Sequence, residues 1–193
     1  LSAGGEKFSL LILQLRGEGA RLIEGLPMAG FDALTSLPNR DWFRTNLMQH
    51  ISRASREMRP FAIFLIEMQG IRTVNELFGK QYGDKVVQDS AQRLRRRTRT
   101  GDTVARVGAH DFAMLIDGLA EIDAAVTVAR KVIDTLSEPL DLGGHSINLS
   151  VHIGVVMSPG GGDGVDQIMK NAEDALTQAL RKGDCAYQVY GTI

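Results

Sequence analysis

The sequence predicts an α/β chain of the α+β kind: a central, mainly antiparallel sheet flanked by helices. Three observations carry that expectation. Apolar residues recur at helical spacing in separate stretches, among them Phe43, Leu47, Ile51, Ala54 and Met58. Between such stretches lie short, continuous apolar runs of strand composition, led by "RPFAIFLIEM" at 59–68. Two further runs, Val104–Val107 and Phe112–Ile116, are separated only by Gly-Ala-His-Asp. That spacing reads as a β-hairpin, which makes its two strands antiparallel neighbours.

Taken in order, "KFSLLILQLRGEG" at 7–19 reads as a strand and turn, and Gly25 and Pro27 interrupt the short stretch after it. Residues 1–30 are expected to be the tail of an upstream module, of a sensory, PAS-like kind, plus a connector. The main domain is expected over 31–193. Thr35 or Ser36 can cap a first helix with Pro38 in its first turn, where a missing N–H costs nothing. The strand at 59–68 ends near Glu67. A helix is expected from about Lys85, after breaks at Gly79 and Gly83. The hairpin 103–117 comes next. Ala125, Val128, Ala129, Val132 and Leu136 mark another helix, and "SINLSVHIGVVMS" a long strand. Ile168, Ala172, Ala175 and Ala179 mark a helix ending at Gly183, before the short strand "AYQVY". After the first helix the order is β-α-β-β-α-β-α-β, whose first six elements form the split βαβ, ferredoxin-like or palm-type pattern.

Composition narrows the function. The 193 residues are 44% hydrophobic and 23% charged with a net charge of −1, so the chain can bury a core and carries no global field toward nucleic acid or membrane. The longest apolar runs are too short to span a bilayer. The single Cys185 excludes an internal disulfide and a cysteine-built zinc site, which fits a reducing cytoplasm. His50, His145 and His152 lack ligand spacing, Trp42 and Phe43 read as core or helix surface, and Cys185 as a small buried residue. The expected topology sets Glu67 beside His110 and Asp111, where carboxylates commonly hold Mg²⁺ for nucleotidyl transfer.

Three blocks now point to a family. "FDALTSLPNR" at 31–40 resembles the Asp-x-Leu-Thr-Gly-Leu-Pro-Asn-Arg entry of GGDEF diguanylate cyclase domains. "NELFGKQYGD" at 75–84 is similar to that family's Asn-Asp-x-x-Gly-His-x-x-Gly-Asp, and "RVGAHDF" at 106–112 to Arg-x-Gly-Gly-Asp-Glu-Phe. The resemblance covers roughly 31–190 and implies a nucleotide-cyclase-like fold. The family joins two GTP molecules, each held by one domain of a dimer, into cyclic di-GMP. The resemblance implies nucleotide binding by Asn75, Asp84 and Gly108, metal binding by Glu67 and the Met68 carbonyl, and catalysis by Asp111 with His110. The alternative reading of Asn75 and Asp84 is local capping, of a turn and of the helix from Lys85.

Several of these positions depart from the pattern. Glu67 replaces Asp. His110 replaces the first signature acid, and an imidazole does not bridge two magnesium ions, which prefer oxygen. Ala109 replaces the second glycine. In the last helix "EDALTQALRKGD" places Leu180 and Asp184 where the family carries a phosphate-binding Lys and Arg. Arg181 and Lys182 are neighbours of these positions, but each residue is about 100° around a helix. The expectation is a degenerate, catalytically inactive domain with a doubtful Mg²⁺ site. Arg99, Asp102 and Arg130 match the family's product-binding Arg-x-x-Asp and its additional arginine; an arginine can donate twice to guanine. The same arginines also read as a solvated face at a helix C-terminus. The domain is therefore expected to bind cyclic di-GMP or GTP and to regulate a neighbour such as an EAL phosphodiesterase, with a homodimer possible in principle and no nucleic-acid or membrane role for this segment. The expected location is cytoplasmic, within a larger or membrane-anchored protein. An active cyclase and a purely structural dimerisation module are the alternatives.

Overall fold

A computed structural model describes residues 30–158 and 164–192. Residues 1–29 of the expected tail and connector at 1–30, and most of the loop at 160–164, lie outside the described residues. The elements are α1 (Arg40–Glu57), β1 (Phe61–Gln69), α2 (Ile71–Phe78), α3 (Lys80–Arg97), β2 (Thr103–Arg106), β3 (Asp111–Asp117), α4 (Ile122–Ser137), β4 (Leu140–Asp141), β5 (Ser146–Ile147), β6 (Ser150–Ser158), α5 (Val165–Leu180) and β7 (Ala186–Val189). Five strands form one sheet in the order β2-β3-β1-β6-β7. Only the β6–β7 pair is parallel. The first four of these strands keep the expected ferredoxin-like arrangement, and β7 extends it at one edge. β4 and β5 make a separate two-stranded ribbon.

Strand alternation divides the core in two. Ala62, Phe64 and Ile66 of β1 face α3 and α4 through a cluster that includes Phe112, Met114, Val86, Leu94 and Ala129. Phe61, Ile63 and Leu65 face α1 and α5 through Phe43, Leu47, Ala113, Leu115 and Ala172. The odd-numbered ends of these strands, Glu67, Asp111 and Asp117, therefore belong to the α1/α5 face. On that face a Cβ at Gly154 of β6 would lie 2.2 Å from the Ala172 carbonyl oxygen of α5, so helix and strand touch backbone to backbone.

Four local expectations are corrected. The first helix starts at Arg40, capped by Asn39, whose side chain accepts from the Trp42 N–H at 3.0 Å. Thr35 cannot cap it because Asp32 accepts from its N–H and hydroxyl at 2.8 and 2.7 Å, and Ser36 is left-handed at φ 57°. Met58 leaves the apolar face: it ends α1 in the left-handed region and is 74% exposed. Gly83 does not break a helix. It lies inside α3, where a Cβ would come within 1.9 Å of Asn75 Oδ1, so its missing side chain admits α2. The break is at Gly79 alone, and "SINLSVHIGVVMS" divides into β5 and β6. Of the remaining residues singled out, Phe43 is buried, Trp42 is half-buried near Phe31, and Cys185 is half-buried with Sγ 3.3 Å from Ser137 Oγ. His145 lies against the Phe78 ring, and His152 Nε2 meets the Gly183 carbonyl at 2.8 Å.

The segment before α1 is tied to the hairpin by Arg106. Its Nη1 donates to both Asp32 oxygens at 3.0 Å, Nη2 donates to the Ala109 carbonyl at 2.8 Å, and its N–H donates to the Pro38 carbonyl at 2.9 Å. Burial pushes the Asp32 carboxyl up, but hydrogen bonds from Thr35 and Arg106 and the guanidinium charge outweigh it and leave its pKa lowered. Asp32→Ala should cost about 1–3 kcal/mol in urea unfolding at neutral pH. A lowered native pKa makes this contribution full above the unfolded carboxylate value, about 3.9. The gap between variant and wild type should therefore close as pH falls below that value; a gap that persists at pH 2 would be the wrong outcome.

Candidate functional site

The β1–β3 ladder sets Glu67 opposite Asp111, the last pair of a register that begins at Phe61 and Asp117. The Met68 N–H donates to the His110 carbonyl at 3.2 Å, closing the hairpin tip onto β1. Gly108 is needed there for space: a Cβ would lie 2.0 Å from Asp111 Oδ2, so the carboxylate folds back over the glycine. Ala109 carries no positive φ and is exposed, so its methyl imposes no backbone strain on the turn.

A cleft of about 180 Å³ opens over this pair, lined by Arg40, Leu65, Glu67, Val107, Asp111, Met169, Glu173 and Leu176. Sequence reading placed Glu67 and Asp111 together and missed Arg40 and Glu173. Both stood within matched blocks, but only the seating of α1 and α5 on the sheet brings them in. The lining holds three carboxylates against one guanidinium, an unfavourable field for a triphosphate. Burial, then the Glu67 charge, raise the Asp111 pKa above the ordinary carboxylate value, against weaker opposing effects of His110, Arg40 and Arg106.

The last helix supplies no compensating cation at the expected places. Leu180 is half-buried against the α1/α5 cluster, and Asp184 accepts from the Ser150 hydroxyl at 3.3 Å. Among the described residues no group of three or more His, Cys, Asp or Glu is placed to hold a metal ion. Glu67 and Asp111 supply two facing carboxylates, the oxygen donors that magnesium prefers, and His110 supplies an imidazole where the family pattern carries an acid.

The two positions expected to face guanine are neighbours in the fold. The Asn75 side chain on α2 lies against Gly83 of α3, one residue before Asp84. Asn75 Oδ1 is buried and has no hydrogen-bond partner among the described residues. Asp84 does not cap a helix, because α3 has begun four residues earlier at Lys80.

The third expected set divides. Arg99 Nε donates to Asp102 Oδ2 at 3.2 Å, and its Nη2 donates to the Asp117 carbonyl at 3.2 Å. Asp102 Oδ1 accepts from the Asp117 N–H at 3.4 Å, and the Asp102 side chain is only 6% exposed, so it braces Arg99 from within. Arg130 is elsewhere. Its Nη2 donates to the Tyr187 hydroxyl at 3.3 Å and its guanidinium lies 5.9 Å from that ring's centre. Tyr187 is on β7, the edge strand opposite β2, so Arg130 does not join Arg99 and Asp102.

A family model for the diguanylate cyclase GGDEF domain matches residues 29–185. The chain belongs to the GGDEF family. This GGDEF domain is 34% identical over 179 residues to the bifunctional diguanylate cyclase/cyclic di-GMP phosphodiesterase MucR of Pseudomonas aeruginosa, covering 93% of the chain and 26% of MucR. It is 32% identical over 187 residues to the diguanylate cyclase TpbB of the same species, covering 94% of the chain and 43% of TpbB. It thus spans less than half the length of these relatives. A solved GGDEF domain of TpbB superposes with a TM-score of 0.78 at 29% identity, over 83% of this chain and 94% of that one. The GGDEF domain of DgcB from Caulobacter crescentus, solved with c-di-GMP, has a TM-score of 0.79 at 22% identity over 91% and 100% of the two chains, which speaks to the fold. No helix among the described residues is long and apolar enough to cross a membrane.

A raised native pKa at Asp111 means that the folded state holds its proton to higher pH than the unfolded state, so this group lowers stability as pH rises through that interval. Asp111→Asn should melt at or above wild type at pH 7. The difference should shrink as pH approaches the unfolded value of about 3.9. Melting curves across pH check this, and a variant less stable at pH 7 than at pH 4, relative to wild type, contradicts it.

Proposed function

We propose that this GGDEF domain is catalytically inactive and serves as a receptor for cyclic di-GMP, or GTP, that controls a neighbouring module such as an EAL phosphodiesterase. The observation that carries the reading is the charge of the cleft. Among the described residues lining the cleft, Glu67, Asp111 and Glu173 stand against one guanidinium, that of Arg40, while Leu180 and Asp184 are occupied in packing and hydrogen bonding. Losing a charged phosphate contact costs on the order of 2–5 kcal/mol, and each 1.4 kcal/mol is about tenfold in rate. Two such losses would together slow turnover by roughly 10³–10⁷-fold, which supports inactivity.

Binding is a separate matter. The unpartnered Asn75 Oδ1 beside Asp84 supports retention of a guanine subsite, because an amide oxygen and a carboxylate accept from guanine N–H groups. The Arg99–Asp102 pair supports the second subsite, where an arginine fork donates to guanine O6 and N7. The name of MucR, which joins cyclase and phosphodiesterase activities in one protein, supports a phosphodiesterase neighbour. Guanine nucleotides as ligands support a cytoplasmic setting. The competing reading, an active cyclase, draws on the survival of two facing carboxylates at positions 67 and 111.

Incubation with GTP and Mg²⁺ or Mn²⁺ should yield no cyclic di-GMP by chromatography; several turnovers per dimer would overturn inactivity. Titration calorimetry should show saturable cyclic di-GMP binding, weakened at least about tenfold by Arg99→Ala. Absence of any heat with cyclic di-GMP and with GTP would leave the structural-module reading instead.

A further inference from the structure

At the end of the sheet remote from the cleft, α1 carries a buried histidine. His50 is 6% exposed and sets its ring edge-on against Phe61, with 5.0 Å between the ring centres. Asp117 closes β3 opposite Phe61, and its Oδ1 faces His50 Nε2 at 3.4 Å. Two arginines bracket this acid: Arg59 Nη2 meets Oδ2 at 3.3 Å, and Arg99 Nη2 donates to the backbone carbonyl at 3.2 Å. The other ring nitrogen of His50 turns back to α1. Arg53, one turn further on, brings Nη2 to 3.0 Å from His50 Nδ1.

These contacts fix the tautomer. A guanidinium has N–H donors and no acceptor, so Nδ1 must offer its lone pair to Arg53. The hydrogen of the neutral imidazole then sits on Nε2 and points toward Asp117. That contact is slack. A separation of 3.4 Å is longer than an ordinary N–H···O hydrogen bond, and Nε2 is buried with no hydrogen-bond partner among the described residues. A proton arriving at Nδ1 reverses both contacts. It occupies the lone pair that holds Arg53 and sets two like charges face to face, and it converts the approach to Asp117 into an ion pair. The charged groups facing His50 are Asp117 from β3, Arg53 and Glu57 from α1, and Arg59 from the loop between α1 and β1. Burial above all lowers the His50 pKa, Arg53 and Arg59 add to it, and Asp117 and Glu57 oppose it. The neutral ring is therefore the resting form at neutral pH. His50, Arg53 and Arg56 line one hollow of about 550 Å³, so solvent reaches the histidine and Arg53 has room to swing outward.

We propose that His50, Arg53 and Asp117 form a proton-operated latch between α1 and the end of β3. Neutral His50 holds Arg53 against the helix and leaves Asp117 slack. Protonated His50 closes on Asp117 and releases the Arg53 guanidinium into the hollow, beside Arg56. The proton passes from solvent to Nδ1, and no bond between heavy atoms forms or breaks. The sheet end thus gains a free guanidinium on its surface as the pH falls, at the same step that fastens α1 to β3. The latch is independent of what the cleft binds, and its failure would leave the receptor reading standing.

Nitrogen NMR of the histidine and arginine side chains of the 193-residue chain, from about pH 4 to about pH 8, tests this. His50→Leu assigns the ring signals, and melting curves check folding. At the alkaline end His50 should show the Nε2–H tautomer, and it should titrate below the ordinary histidine value of about 6.5. Arg53→Ala, at an exposed helix position, should move that midpoint up, and Asp117→Asn should move it down. The Arg53 Nη hydrogens should be held at the alkaline end and rotate freely once the pH has fallen through the same midpoint. In His50→Leu they should rotate freely throughout. A histidine with a packing role alone would not tie its titration to the motion of Arg53. Because the fold keeps His50 neutral, the unfolded chain binds more protons between the midpoint and about 6.5, so stability should fall with pH across that interval and fall less in His50→Leu. An Nδ1–H tautomer, a midpoint that Arg53→Ala leaves in place, or Arg53 hydrogens indifferent to the titration would each overturn the latch.

Discussion

The antiparallel pairing of β1 with β3 sets the geometry of both ends of the sheet. Phe61 stands opposite Asp117, Glu67 stands opposite Asp111, and the five pairs between them are filled by buried side chains. A strand has a two-residue period, so a slip of one position would carry Glu67 and Phe61 to the opposite face and turn a carboxylate toward the cluster of Phe112, Met114, Val86 and Leu94. The side chains of those five pairs resist that exchange collectively, the larger ones by about 1.5–3 kcal/mol each when fully buried. The candidate cleft and the arginine bracket are consequences of one register.

The two ends differ in what they ask of charge. At the cleft, carboxylates converge and burial drives one of them toward its neutral form. At the other end, acids and arginines are paired through several contacts each, so like charges are separated by a counter-charge. Seven ladder positions, Asp111 to Asp117, at about 3.4 Å per residue put roughly 20 Å between the two. That exceeds the Debye length of about 8 Å at physiological salt. Any influence of one end on the other travels through the packed strand and its helices and not through the field.

The fold was legible because its signals were local. The run at 59–68, the hairpin spacing and the alanine-rich periodicity of α5 each specify their own element. What failed to read out depended on contacts distant in sequence. Thr35 looks like a cap until Asp32 claims it, and Asp32 is held by Arg106 from another part of the chain. Gly83 looks like a breaker because nothing in its neighbourhood announces that Asn75 will press against it. Asn75, Asp84, Glu67 and Asp111 were recoverable from matched blocks. Arg40 and Glu173 became site residues only through the seating of two helices. Arg130 fits the spacing of a motif, yet its helix face turns it to Tyr187. Arg59 belongs to no motif and is tied in by Asp117, a residue that the hairpin pattern leaves unmarked.

The bare backbone contact between Gly154 and Ala172 limits how the last helix could evolve. A helix cushioned by large side chains can roll as those side chains repack. Here the cylinder rests directly on the strand, so rolling α5 by the roughly 100° that would bring Arg181, just past its end, round to the position of Leu180 would drive a bulkier part of α5 into β6. The neighbouring cations are therefore fenced off from the cleft by sterics, and only substitution at positions 180 and 184 themselves can change what that wall offers a nucleotide.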